Sequence, residues 1–232
     1  MCGGAAGAGS RRGRSVSTLH HADQTRSMRT LWLLNELDVP FEVVVHPFDK
    51  SLRDPGYLAI SPAGRVPSLE IDGQTMFETG AIGEYLCERF SPDDLGRMPG
   101  SKDRMAWLVW MHFAETLSQH CAALTQQHIA LRDDSMRSPI VMKLEAARVV
   151  KCYDAIEARL EGRDYLLSSG FTAADIGVGQ AVYMAQHFAK LDAHPRVTGW
   201  YGRISARAGF QKSLPQGVPL FAQSFFEPWP II

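Results

Sequence analysis

Several marks of common protein classes are missing from this chain. Its four cysteines, Cys2, Cys87, Cys121 and Cys152, include no C-x-x-C pair. Zinc knuckles and dithiol redox motifs are therefore excluded, and free buried thiols in a reducing cytosol are expected. Charge is nearly balanced, with 24 Lys+Arg against 25 Asp+Glu. No bulk field then draws the protein to nucleic acid or to an anionic membrane. No apolar run is long enough to span a bilayer. Residues 1–14 carry three arginines, no acid and no apolar stretch of the kind a secretory signal needs. With almost nothing to bury, they read as a disordered tail.

What the chain does have is organised in two parts. Its 232 residues, 45% of them hydrophobic, allow one large domain or two small ones with a sizeable core. Val16 to His20 reads as a short strand. Met28, Leu31, Trp32 and Leu37 then recur three to five residues apart and predict a helix. Asp38-Val39-Pro40 ends it, because proline cannot continue the hydrogen-bond ladder. Phe41 to Val45 is aromatic and β-branched, as strands prefer. Val66–Ile71 and Gln74–Phe77 flank Asp72-Gly73, a hairpin signal, and a helix over Thr79–Phe90 follows. The order is β-α-β, a connection, then β-β-α, which is that of a thioredoxin-like α/β domain over residues 15–90.

Ser91-Pro92-Asp93-Asp94 and Pro99-Gly100 make 91–103 a linker. From 104 to 232 the signals are helical throughout. Met105, Val109, Phe113, Leu117 and Cys121 repeat every four residues and suggest a buried stripe. Ser138-Pro139 suits a helix start, ahead of Val149, Cys152, Tyr153, Ile156 and Leu160. Phe171-Thr172-Ala173-Ala174-Asp175-Ile176 reads as a capping box with a hydrophobic staple, the acid at the fourth place being Asp. A last helix opens near Pro195 and carries Val197, Trp200 and Ile204.

Three segments carry the chemistry. Val66-Pro67 is extended at Val66, since a residue before proline is pushed out of the helical region. With a cis bond, the Val66 N–H and C=O are free to pair with an extended peptide; with a trans bond, this is an ordinary edge-strand proline. Glu78-Thr79 opens a helix, where unpaired N–H groups and the dipole favour a carboxylate and Glu78 can meet an ammonium. An α-amino acid head group offers both charges. The same two residues also read as a plain capped helix start. Asp23 to Arg29 opens the first helix with the hydroxyls of Thr25 and Ser27. A hydroxyl hydrogen bond at a helix N-terminus lowers a thiol pKa from its usual value near 8.5, and capping is again the alternative reading.

The run from His21 to Leu37 resembles the opening of bacterial and fungal glutathione transferases. Ser61-Pro62-Ala63-Gly64-Arg65-Val66-Pro67 and Glu78-Thr79-Gly80-Ala81-Ile82 resemble the same family. In the second half, Phe171–Ile176 is similar to the capping motif of its helical domain, and Pro195-Arg196-Val197 with Trp200, Arg203, Ala206 and Arg207 to its late helix. The resemblance runs from about Val16 to Leu214. It implies a thioredoxin-like domain followed by an all-helical C-terminal domain, and a cytoplasmic, homodimeric detoxifying enzyme.

Residue by residue, the resemblance implies that Val66 pairs its backbone with the cysteinyl unit of glutathione beside cis-Pro67. Glu78 and Thr79 would hold the γ-glutamyl head group, and Arg65 would stand near the glycine carboxylate. Asp175 would stabilise the helical core. The family's classes activate the thiol with Tyr, Ser or Cys near the end of the first strand. Here Thr25 comes first for that role, Ser27 second, and the Gln24 amide or a backbone N–H third. Glutathione would be co-substrate, with no metal, and its partner a small apolar electrophile lying against Trp107, Trp110, Met111 and His112. Those four also read as core or dimer contacts, His112 as a hydrogen-bonded structural residue, and Cys87 and Cys121 as inert. The same site would serve a glutathione-dependent isomerase, dehalogenase or peroxidase. A non-catalytic ligand-binding or scaffold member is the remaining alternative.

Overall fold

A computed structural model describes residues 16–217, 219–221 and 224–226; Cys2 and the expected tail over residues 1–14 lie outside them. Strand β1 (Ser17–His21) leads into helix α1 (Ser27–Leu37), and strand β2 (Phe41–Val45) follows. A short helix α2 (Pro55–Leu58) precedes the hairpin of β3 (Ser68–Ile71) and β4 (Gln74–Phe77), and α3 (Thr79–Phe90) closes the first half. The sheet order is β2-β1-β3-β4, with β1 parallel to β2 and antiparallel to β3, and β3 antiparallel to β4. Helices α4 (Arg104–Thr125), α5 (Pro139–Arg159), α6 (Ala173–Ala185), α7 (Pro195–Ser205) and α8 (Ala208–Gln211) build the second half. A thioredoxin-like domain followed by a helical domain is thus the architecture, as the order of signals implied.

The chain makes the expected turns for local reasons. Asp38 ends α1 in the left-handed region, at φ 50°, and Asp72-Gly73 turns the hairpin with both residues at positive φ. Ser138 caps α5 by accepting from the Val141 N–H at 3.3 Å, with Pro139 in the first turn. The capping box of α6 forms, with Thr172 as the cap and the Asp175 carboxylate accepting from the Thr172 N–H at 2.9 Å.

The expected stripe on α4 is corrected. Met105 is 80% exposed and Val109 55%, whereas Leu117 and Cys121 are buried. A helix turns 100° per residue, so a repeat of four drifts 40° at each step and leaves one face within a few steps. The buried face is instead Trp107, Trp110, Met111, Ala114, Leu117, Ser118, Cys121 and Leu124, spaced by threes and fours. Trp107 lies wholly inside and donates from Nε1 to the Leu95 carbonyl at 3.0 Å.

One buried core runs through both halves. Trp32 of α1 is fully buried between α6 and α8: its ring meets Phe210 edge-on with centroids 4.9 Å apart, and it lies close over Gly179. A side chain at Gly179 would meet Ile204 of α7 at 2.4 Å and the Trp32 ring at 3.2 Å, so the helices approach closely because residue 179 has no Cβ.

Polar groups join the halves as well. The buried Arg29 guanidinium donates from Nε to Gln180 Oε1 at 2.9 Å and to the Ala114 carbonyl at 3.1 Å. It also hydrogen-bonds Ser118 and pairs with Glu115. Arg26 holds the other Glu115 oxygen at 2.7 Å. Burial would raise the Glu115 carboxyl, but the two arginines outweigh that and hold it below the usual range.

Candidate functional site

The sheet register brings the three segments to one end of the molecule. His20 on β1 stands opposite Ser68 on β3, and Ser68 opposite Phe77 on β4. One residue beyond that line lie His21, at the end of β1, Pro67 of the Val66-Pro67 bond and Glu78, with the β1–α1 loop following His21. Residues far apart in sequence therefore share one sheet edge, because antiparallel pairing places their strand ends side by side.

Val66-Pro67 is cis. The loop before it is pinned by its Arg65 carbonyl, which accepts from Tyr57 Oη and from Ser61 Oγ, each at 2.8 Å. Gly64 turns it at φ 59°, and a Cβ there would stand 2.8 Å from the Leu52 carbonyl oxygen. Among the described residues the Val66 backbone makes no hydrogen bond, so its N–H and C=O are available to an extended ligand. Arg65 itself is exposed. Because only glycine fits residue 64 without strain, Gly64→Ala should shift this loop and weaken several-fold the binding of the glutathione that the sequence resemblance implies, with a smaller effect on melting temperature. Titration calorimetry on the two proteins checks it.

Glu78 takes φ 76° and ψ 113°, a conformation that is strained for a residue with a side chain. Such strain is worth about 1–3 kcal/mol and concentrates at ligand sites. Its side chain is exposed, Thr79 is half-buried, and α3 begins with no side-chain cap. The plain capping reading of Glu78-Thr79 is therefore corrected: the first N–H groups of this twelve-residue helix remain open to a carboxylate. Behind Thr79 a small cavity extends between α1, α3, α4 and α6, lined by Arg29, Thr30, Gly80, Met111 and Ile176.

The β1–α1 loop places its candidates differently from one another. Thr25 is half-buried, with Oγ1 2.8 Å from both the Ala22 carbonyl oxygen and Ser27 Oγ. Helix α1 begins beside it, with Arg26 at the cap position and no side-chain cap. Ser27 has no exposed surface; its Oγ lies 2.8 Å from His21 Nδ1 and accepts from the Ala22 N–H at 3.1 Å. A ligand sulfur cannot touch it. Gln24, at φ 52°, is also buried, and its amide is spent within the protein. It donates to Tyr183 Oη at 3.1 Å and accepts from the Phe221 N–H at 2.7 Å. Of the three, Thr25 alone is partly exposed.

Trp107 and Trp110 are core residues, and Met111 packs against Gly83 of α3. His112 is exposed, with Nε2 3.0 Å from Glu84. Burial pushes the Cys87 and Cys121 thiols up to about 12, as suits inert side chains. No group of three or more His, Cys, Asp or Glu able to hold a metal occurs among the described residues.

Sequence reasoning assigned no role to His21, Asp23, Arg29 or Gln180. Gln180 ties α6 to the loop, donating to the Thr25 carbonyl at 3.2 Å while its Oε1 takes the Arg29 Nε–H. His-x-Asp at the strand end was the available local signal for the first two; nothing local announces the others.

Comparison with known proteins agrees with this geometry. The family model of the glutathione S-transferase N-terminal domain matches residues 19–94, and that of the C-terminal domain residues 139–203. The chain is 30% identical over 196 residues to glutathione S-transferase F13 of Arabidopsis thaliana, covering 81% of this chain and 89% of the relative. It is 26% identical over 203 residues to glutathione S-transferase 3 of Schizosaccharomyces pombe, covering 82% and 83%. Among solved structures, glutathione transferase URE2P8 from Phanerochaete chrysosporium, crystallised with oxidized glutathione, superposes with a TM-score of 0.78 over 88% of this chain and 95% of that one, at 18% identity. Glutathione transferase F7 from Populus trichocarpa gives 0.72 over 85% and 97%, at 26% identity.

Proposed function

The chain belongs to the glutathione S-transferase family, and from that premise we propose that it binds glutathione, stabilises its thiolate and conjugates it to a small apolar electrophile. The observation that carries this reading is the alignment of Thr25, cis-Pro67 and Glu78 at one sheet end. In it Val66 pairs with the cysteinyl backbone, and the open start of α3 with Glu78 and Thr79 receives the γ-glutamyl carboxylate and ammonium. Arg65 faces the glycine carboxylate, and the Thr25 hydroxyl donates to the sulfur. The Gln24 side chain supports the loop from behind. Neither a metal nor a nucleic acid is part of this reading, which gives the enzyme a detoxifying role in the cytoplasm.

Titration calorimetry with glutathione, followed by thiolate absorbance against pH on the same complex, tests this. Micromolar-to-millimolar binding and a thiol pKa below that of free glutathione are expected. Binding with an unshifted thiol would favour a non-catalytic member.

A homodimer is part of the proposal. Met105, Val109 and His112 share one exposed face of α4, and His112 lies against Gly80 at the start of α3, three residues beyond the exposed Phe77. Exposed apolar side chains on both halves suit a second copy of the chain. Val109→Glu should convert a dimer to monomer by light scattering. A wild-type protein that is already monomeric would remove this part of the reading.

A further inference from the structure

A chain of hydrogen bonds runs from Thr25 to Asp23. Its Oγ1 lies 2.8 Å from Ser27 Oγ, which lies 2.8 Å from His21 Nδ1, and His21 Nε2 lies 3.3 Å from Asp23 Oδ1. The two ends, Thr25 and Asp23, are half-exposed, whereas Ser27 and His21 are buried at 0% and 2%. We propose that Asp23, His21 and Ser27 form a proton relay that ends on the Thr25 hydroxyl and receives the proton of the glutathione thiol. The proposal rests on the reading of this end of the sheet as a glutathione site.

The polarity of the chain follows from its termini. An ionised carboxylate only accepts, so Asp23 fixes the proton of neutral His21 on Nε2 and leaves Nδ1 as an acceptor. Ser27 then donates to Nδ1, which in this tautomer can only accept, with the Ala22 carbonyl at 3.2 Å as the competing acceptor. Thr25 can donate to Ser27 in turn, with the Ala22 carbonyl at 2.8 Å as the competing acceptor. In the first arrangement Thr25 Oγ1 also accepts from the Ser27 N–H at 3.3 Å and keeps one lone pair for the thiol proton.

When the thiol arrives, its S–H bond breaks and the proton goes to Thr25 Oγ1. The Thr25 proton passes to Ser27 Oγ, and the Ser27 proton to His21 Nδ1. The electron pair of the S–H bond stays on sulfur. The hydrogen bonds from the sulfur to His21 Nδ1 are now reversed: imidazolium donates to Ser27, Ser27 to Thr25, and Thr25 to the thiolate, while Nε2–H still donates to Asp23. The thiolate gains a donor hydroxyl, and Asp23 offsets part of the cost of a buried imidazolium. Thr25 is the residue that touches substrate; Ser27, His21 and Asp23 act through it.

The surroundings suit a histidine that starts neutral. Burial lowers its pKa, and the neighbouring Asp23 only partly restores it. Ser27 faces it from α1. From the end of β2, the His46 N–H takes the His21 carbonyl at 2.7 Å while the His46 ring turns to His20 and Tyr57. From α6, Tyr183 feels the charge of Asp23 and is bonded to Gln24.

The test titrates the thiol of bound glutathione by its thiolate absorbance in the wild type, His21→Gln, Asp23→Asn, Ser27→Ala and Thr25→Ala, and measures S-methylglutathione affinity for each. His21→Gln should leave about tenfold less thiolate at a pH below both pKa values, a shift of about one unit. Asp23→Asn should move the titration the same way by less, and Ser27→Ala should match His21→Gln. S-methylglutathione has no thiol to titrate, so its affinity should not change for His21→Gln, Asp23→Asn or Ser27→Ala, which act only through Thr25. Asp23 is half-exposed, so its variant keeps the test open if a buried substitution fails to fold. Titrations of Asp23→Asn and His21→Gln that coincide with wild type, while Thr25→Ala is raised, would overturn the relay and leave Thr25 acting alone. Failure of the wild type to bind S-methylglutathione would instead overturn the glutathione-site reading, and the relay with it.

Discussion

Thr25→Ala should lower kcat/KM for conjugation of glutathione to a chlorodinitrobenzene about 10–100-fold near neutral pH. A hydrogen bond to a charged group is worth about 1.5–3 kcal/mol, and each 1.4 kcal/mol is about tenfold in rate. Thr25 is the half-exposed hydroxyl of its loop, with Ser27 and Gln24 turned inward, so no neighbouring side chain replaces it. The loss should shrink as the pH rises above the pKa of the free thiol, where glutathione ionises without help. Thr25→Ser keeps the hydroxyl and should retain activity within a few-fold. A pH–rate profile of Thr25→Ala that overlays the wild type would assign thiol activation to the backbone at the start of α1.

Asp175→Ala should have the largest effect on stability. The carboxylate has no exposed surface and accepts from the Leu166 N–H, the Thr172 N–H and the Trp200 Nε1–H, each at 2.9 Å. Removing it strands three buried donors at once, and a buried donor left unpaired costs about 1–3 kcal/mol. A total of about 3–5 kcal/mol is expected, which for a chain of this size lowers Tm by roughly 10–15 °C. Calorimetric or circular-dichroism melts measure it; a shift of only a few degrees would mean that water replaces the carboxylate.

The pH dependence of the same group has a definite sign. Burial raises the Asp175 carboxyl above its ordinary value, and the hydrogen bonds from Leu166, Trp200 and Thr172 offset only part of that. The folded protein thus holds this proton to a higher pH than the unfolded chain does. Its contribution to stability is complete below the ordinary carboxylate pKa and is lost as pH rises through the raised value. Asp175→Asn cannot ionise and should remove that slope.

Features made by neighbouring residues were legible in the sequence. The hairpin at Asp72-Gly73, the Ser138-Pro139 start of α5 and the box at Thr172 and Asp175 each depend on side chains within a few positions of the backbone they serve. The four-residue stripe on α4 misled because spacing by fours drifts around a helix, and Met105 and Val109, two of its five residues, are exposed. The site was legible as residue types and only partly as geometry. Thr25, Ser27 and Gln24 look equivalent in one loop, yet the Gln24 amide is directed by Tyr183 and Phe221, 159 and 197 residues away. The strain at Glu78 and the uncapped start of α3 are set by how β4 meets the helix, which local sequence does not encode.

The buried Arg29 bears on how this chain can be recombined. Every nitrogen of its guanidinium is spent on α4 or α6, so its charge is balanced only when both halves are present. A chimera joining residues 16–90 to the helical half of a relative would inherit the cation without its receptors unless Glu115, Ser118 and Gln180 travelled with it. An uncompensated interior charge is strongly destabilising. The exchangeable unit for building hybrids is therefore a set of residues drawn from three helices, and a cut at the linker divides it.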